Sequence, residues 1–253
     1  ELRPHKTLIG LHSFVRGTKT VEVEYSQAVT KVTAAIGEAC PDLVYPNHQD
    51  YDYVKVQLDP KSLRAARRGL ARIDDPFARQ MLWHSLWEMV VDAKLPAQDY
   101  ADIALANLGQ EKDTQVVSKV MGTLSSEGST GNTVVRILEG ELRKKYRSRI
   151  EALARARVQA APAGSDLQLV WFQSFVGSAF SRTSQNLVKS WLDGDGKVSG
   201  LVIDQERRWD LLHVLSRTGF AGTPERIQAE LKKDPTDMGQ KEAISAEAAS
   251  PDE

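Results

Sequence analysis

The sequence predicts a mostly α protein: an irregular α-solenoid of HEAT-like helix pairs, preceded by a small partial β-sandwich. Three observations carry this. Apolar residues recur with a period of two through the first sixty or so positions and with helical spacing from Asp59 onward. Helix-start signals of one form recur at Asp59-Pro60 and Asp75-Pro76, where a carboxylate can accept from orphan amides and proline takes the first helical position. Glycine- and proline-rich breakers separate the later helical runs. The expected division is residues 1–58, the end of a β-sandwich domain that begins upstream, and residues 59–253, a helical domain truncated at its end.

The elements follow in order. HKTLIGLHSF and KTVEVEYS alternate apolar and polar residues around a turn at Gly17, so they read as a hairpin. DLVYPN and YDYVKVQL read as two more strands separated by a polar loop. After the two Asp-Pro starts, Ser165-Asp166, Asp204 and Thr223-Pro224 mark further helix starts. Nine to ten helices are expected. In the helix opened by Asp75, Leu82, Trp83, Leu86, Met89 and Val90 make one apolar face, while Phe77, Met81 and Val91 lie near the opposite side with His84 and Glu88. Such a helix is expected to be sandwiched, with His84 and Glu88 paired to each other or to a neighbouring helix.

Composition excludes several classes. Lys+Arg 33 against Asp+Glu 34 gives a net charge of −1, which advertises neither nucleic acid nor an anionic membrane as partner. No apolar run is long enough to span a bilayer. The single cysteine, Cys40, provides no internal disulfide and fits a reducing, cytoplasmic location. It is expected to be a buried structural thiol.

No motif in the chain carries chemistry. A catalytic zinc site needs three protein ligands beside an open position, and HSLWE offers one histidine with a glutamate at the wrong offset for H-E-x-x-H. His5, His12, His48 and His213 are scattered without ligand spacing. DGDGKVSG places Lys197 and Val198 where a calcium loop needs an acid or amide and a glycine, so it reads as a turn between helices. SSEGSTGNT (Ser125–Thr133) lacks the lysine of a phosphate loop and follows no strand, so it reads as a helix connection. Catalytic residues, metal ligands and a resident cofactor are therefore expected to be absent from this chain.

Charge is more informative. RKKYRSRIEALARAR (Arg143–Arg157) holds seven basic residues and one acid, Glu151. A solvated face with side chains lying over apolar surface explains it; a positive surface that attracts a carboxylate is the functional version. From Asp234 on the balance reverses, six acids against Lys241, and a frayed end or a shortened helix is expected there.

Several stretches together resemble one family, the zinc aminopeptidases of the aminopeptidase N, lysyl aminopeptidase and puromycin-sensitive type. ELRPHKTLIGLHSF resembles the family's LRPHRLAVGLYD strand, and PDLVYPNHQDYDYVKVQLDPKSL resembles its PDLVLPNDDDLTYAKVRLDERSL, where the β-sandwich passes into the helical domain. IDDPFARQMLWHSLWEMVVDAKLPAQDY, SDLQLVWFQSF, LDGDGKVSGLVIDQERRWDLLHVLSRTG and RIQAELKKDPTDMGQKEAISAEAASP resemble its later helices in the same order. The resemblance implies a parent enzyme whose catalytic domain carries an H-E-x-x-H zinc motif and a G-A-M-E-N motif; neither occurs in these residues. It implies that this chain is the non-catalytic C-terminal region, inactive alone, with the upstream catalytic domain and peptide substrates as partners and zinc held in the parent. Such a domain encloses the active site and limits peptide size. Arg143, Lys144, Arg147 and Arg149 are then the candidates to receive a peptide's C-terminal carboxylate. The alternative is a stand-alone helical-repeat scaffold that binds proteins on a concave face.

Overall fold

The computed structural model describes residues 3–125 and 133–251. Apart from Ser125 and Thr133, the SSEGSTGNT stretch lies outside the described residues. The chain forms two compact units, one ending at Val120 and one beginning at Met121.

In the first unit, β1 (His5–Ser13) pairs antiparallel with β2 (Gly17–Tyr25), with Ile9 opposite Val21 and Ser13 opposite Gly17. Gly17 has φ 82°, a left-handed conformation that suits a residue without Cβ. β3 (Leu43–Pro46) joins the other edge of β1, so the order is β2-β1-β3. Leu11, Val21, Leu43 and Tyr45 are buried.

The expected fourth strand, Tyr51–Leu58, does not form. Pro46 offers no amide to extend a ladder. Asn47 then turns the chain at φ 81°, its side chain accepting from the Asp52 amide at 2.6 Å and donating to the Asp52 carbonyl at 2.8 Å. Beyond this closed loop, Val56 and Leu58 still alternate inward and are buried, but their backbone has no neighbouring strand. Period two identified an extended segment; pairing is a separate requirement.

Four helices follow: α1 (Pro60–Gly69), α2 (Pro76–Val91), α3 (Ala97–Asn107) and α4 (Thr114–Leu124). Asp59 accepts from the Lys61 and Ser62 amides at 2.8 and 3.1 Å, and Asp75 accepts from the Phe77 amide at 3.0 Å. Ser62 also accepts the Val44 amide at 2.9 Å, tying α1 to β3. Leu82, Trp83, Leu86, Met89 and Val90 face inward as expected. The second apolar face of α2 is not sandwiched, because Phe77 is 42% and Val91 57% exposed.

The second unit contains α5 (Val134–Ile137), α6 (Gly140–Ala160), α7 (Asp166–Ser178), α8 (Arg182–Asp193), α9 (Gln205–Arg217), α10 (Thr223–Lys233) and α11 (Asp237–Ala248). Eleven α-helices among the described residues exceed the expected nine to ten; they include the single turn α5 and the acidic end, which is ordered as α11. Ser165 and Asp204 cap α7 and α9 through the Gln168 and Arg207 amides. Thr223 does not cap α10. Gly222, at φ 77°, holds the N-cap position, and the Thr223 hydroxyl donates instead to the Phe220 carbonyl at 2.5 Å. α6 packs along α7, and Trp171, Phe172 and Phe175 of α7 are fully buried.

Candidate functional site

Two regions hold the sequence-derived candidates. The first is a cleft of about 580 Å³ in the first unit, between the residue 45–56 segment and α2. Tyr45, Asn47, Asp50, Asp52, Lys55, His84 and Glu88 contribute to its walls. The Tyr45 hydroxyl lies 3.0 Å from Ser85 Oγ and 3.3 Å from the Met81 carbonyl, and burial raises its pKa. Asp52 accepts from the Tyr25 hydroxyl at 2.6 Å and sits 3.1 Å from His5 Nδ1. The Tyr25 hydrogen bond, with His5, lowers the Asp52 pKa; the same bond pushes Tyr25 up to about 12.

His84 and Glu88 share the cleft but do not pair. Glu88 takes Lys55 Nζ at 3.0 Å, and Lys55 also reaches Asp92 at 3.0 Å. Helical spacing placed the two on one face, but the extended Lys55 segment supplies the closer countercharge. Among the described residues there is no group of three or more His, Cys, Asp or Glu placed to hold a metal ion. Three backbone positions beside the cleft, Asn47, Gln49 and Asp50, have φ of 81°, 61° and 53°. Such clustering of left-handed non-glycine residues costs folding energy and marks a segment held by its surroundings.

The second region is α6. Its single interior acid, Glu151, is buried and turned inward, accepting from the Phe180 and Ser181 amides at 3.1 and 3.0 Å and from the Ser181 hydroxyl at 3.0 Å. It thereby satisfies amides at the start of α8, leaving the outer face of α6 predominantly basic. Arg143 is exposed and donates to the Leu138 and Arg136 carbonyls. Lys144 is exposed and pairs with Glu141 at 2.7 Å. Arg147 is half-buried, its guanidinium 4.3 Å from the Phe180 ring centroid, and the exposed Arg149 lies 5.0 Å from that of Tyr146. The four therefore occupy one helix, with Arg147 and Arg149 lying over aromatic rings.

A third cluster was missed because its members come from two helices, α9 and α10. Glu230 is buried; Arg208 donates to it through Nε at 2.7 Å and Nη2 at 2.6 Å, with Gln205 at 3.1 Å and Lys233 at 3.2 Å. Burial alone would raise its pKa, but these donors outweigh burial and bring it to about 2. The folded value lies below the unfolded 4.5, so this contribution is complete above about pH 4.5 and lost as pH falls toward 2. Urea midpoints are expected to drop across that window, and less steeply in Glu230→Gln, which lacks the titrating group.

Two sequence expectations are corrected here. Cys40 is exposed, not buried, with Lys61 Nζ 2.7 Å from Sγ. The histidines are not all scattered, since His12 and His48 meet edge to face with ring centroids 5.5 Å apart. The left-handed turn at Asn47, which follows β3, brings His48 over Gly10 beside His12; linear spacing conceals what the turn creates.

A family model described as the ERAP1-like C-terminal domain matches residues 43–253. Aminopeptidase N of Streptomyces lividans is 32% identical over 258 aligned residues, which cover 100% of this chain and 29% of that protein. The chain thus spans well under half the length of this relative. The helical order from α1 to α11 falls within the matched region, and the chain belongs to the ERAP1-like C-terminal domain family.

Proposed function

We propose that this chain is the non-catalytic C-terminal region of a zinc-dependent aminopeptidase that removes N-terminal residues from peptides. The similarity to Aminopeptidase N along the whole chain, at 29% of that protein's length, carries this reading. The upstream region of the same polypeptide is the catalytic partner and holds the zinc. In this reading the successive helices are degenerate HEAT-like pairs of an α-solenoid that encloses the active site, with the division between the two domains at residues 58 and 59. The exposed apolar residues Phe77, Val91 and Tyr53 suit burial against that upstream region. A cytoplasmic location is supported by a single cysteine that makes no disulfide. No helix among the described residues is long and apolar enough to cross a membrane.

The basic face of α6 is the part assigned to peptide handling: Arg143, Lys144, Arg147 and Arg149 attract the distal carboxylate of a long substrate. Binding energy from a remote part of a substrate appears in KM when ground state and transition state use it equally. The full-length polypeptide is expected to show chelator-sensitive release of N-terminal residues from amide substrates, and this chain alone none. Arg147→Ala with Arg149→Ala in the full-length polypeptide is expected to raise KM several-fold for long peptides and to leave short amide substrates unchanged. Lys144→Glu, at an exposed position, checks that any change reflects charge and not folding. An unaltered KM for long peptides in both variants would remove the role assigned to α6.

A further inference from the structure

We propose that the outer stripe of α2 and the cleft beside it receive a basic side chain, with its apolar neighbours, from the upstream region of the same polypeptide. Residues three or four apart share one face of a helix, so Phe77, Met81, His84, Glu88 and Val91 form a single line along α2. At about 1.5 Å per residue that line is roughly 20 Å long. Its two ends, Phe77 and Val91, are exposed apolar side chains, and Tyr53 stands fully exposed on the facing segment. Between them the cleft is lined by Met81 and Glu88 from α2 and by Tyr45 and Asp50 from the facing segment. Scattered apolar residues need no explanation, but a row of them beside a cleft with a polar rim marks an interaction surface.

Charge selects the occupant. Among the described residues of the lining, Lys55 is the one lysine or arginine, and it is divided between Glu88 and Asp92, each at 3.0 Å. One cation thus serves two carboxylates. Asp52 is already held by Tyr25 and His5, but the exposed Asp50 meets only the Asn47 side-chain amide, at 3.4 Å. Its negative charge adds to burial in raising the Tyr45 pKa, so the field of Asp50 reaches the aromatic lining. A lysine or arginine entering between Asp50 and Glu88 supplies the missing charge. Its stem lies over Tyr45, Met81 and Tyr53, as long cationic side chains do on aromatic and apolar surface. Such a pair fixes register more than it adds affinity. The upstream region is the occupant because this chain matches only 29% of the length of its relative, and covalent linkage gives that region an effective concentration no separate partner has. This rests on the reading of the chain as part of a longer polypeptide.

Hydroxyl-radical footprinting, read residue by residue by mass spectrometry, tests this on the chain alone and on the full-length polypeptide. Tyr53, Phe77 and Met81 are expected to be labelled several-fold less in the full-length polypeptide. Asp50→Lys with Glu88→Lys is expected to restore their labelling, and Asp50→Asn with Glu88→Gln to restore it in part. An unshifted urea midpoint of each variant chain shows that folding is kept, and the neutral pair keeps the test intact if the reversed pair does not fold. Equal labelling of Tyr53 in the two proteins overturns the proposal. So does protection that charge reversal leaves intact, which would mean an uncharged occupant. Protection of the isolated chain that grows with its concentration would assign the face to a second copy and overturns it as well. Chelator-sensitive peptide cleavage is followed in the same samples: absent protection with activity present removes the docking alone, and protection without activity removes the enzymatic reading alone.

Discussion

Replacing Arg79 with methionine is expected to cost about 3–5 kcal/mol of stability, because it strands a buried carboxylate. Arg79 and Glu111 are 7% and 3% exposed. The guanidinium donates to both Glu111 oxygens, at 2.8 and 2.7 Å, and to the Ile73 and Asp74 carbonyls at 2.6 and 3.0 Å. Glu111 also accepts the Lys112 and Asp113 amides at 2.9 and 3.0 Å. Every strong polar group in this cluster is matched, so the loss of one partner exposes the desolvation cost of the other. Urea unfolding of Arg79→Met, Glu111→Gln and the double variant measures it. The double variant is expected to be less destabilised than the sum of the singles, since it removes the stranded charge together with its partner. Additive costs would mean that water reaches the pair.

Trp171→Ala is expected to be as damaging, about 3–5 kcal/mol, by opening a cavity. Trp171 is fully buried on α7, and the Arg157 guanidinium from α6 lies 6.0 Å from its ring centroid. Trp171→Phe is expected to cost much less. It keeps an aromatic ring in the space and removes an indole N–H that is buried without a hydrogen-bond partner. A shift in urea midpoint at constant slope for both variants checks this. Equal losses for alanine and phenylalanine would mean that the indole N–H, and not ring volume, holds α7 in place.

Helix starts were the most legible feature, because a cap is written within four residues. Asp59, Asp75, Ser165 and Asp204 each accept from an amide two or three positions ahead. Thr223 shows the limit of that rule, since a neighbouring glycine in the left-handed conformation took the cap position. The basic candidates were legible as a cluster for a similar reason: Arg143, Lys144, Arg147 and Arg149 lie within two turns of α6. What the stretch did not reveal is that Glu151, its one acid, is consumed inside by the start of α8.

The sequence by itself determined the switch from extended to helical backbone near Asp59, the caps and the inward face of α2, because each depends on interactions between residues close in the chain. Only the tertiary structure decided which groups became partners. Glu88 left His84 for Lys55, Arg79 found Glu111, and His12 met His48 over Gly10. The physical reason is common to the two ion pairs: a charged side chain takes the nearest complementary group once water is displaced. Strand register and helix packing, not spacing along the chain, set which group is nearest.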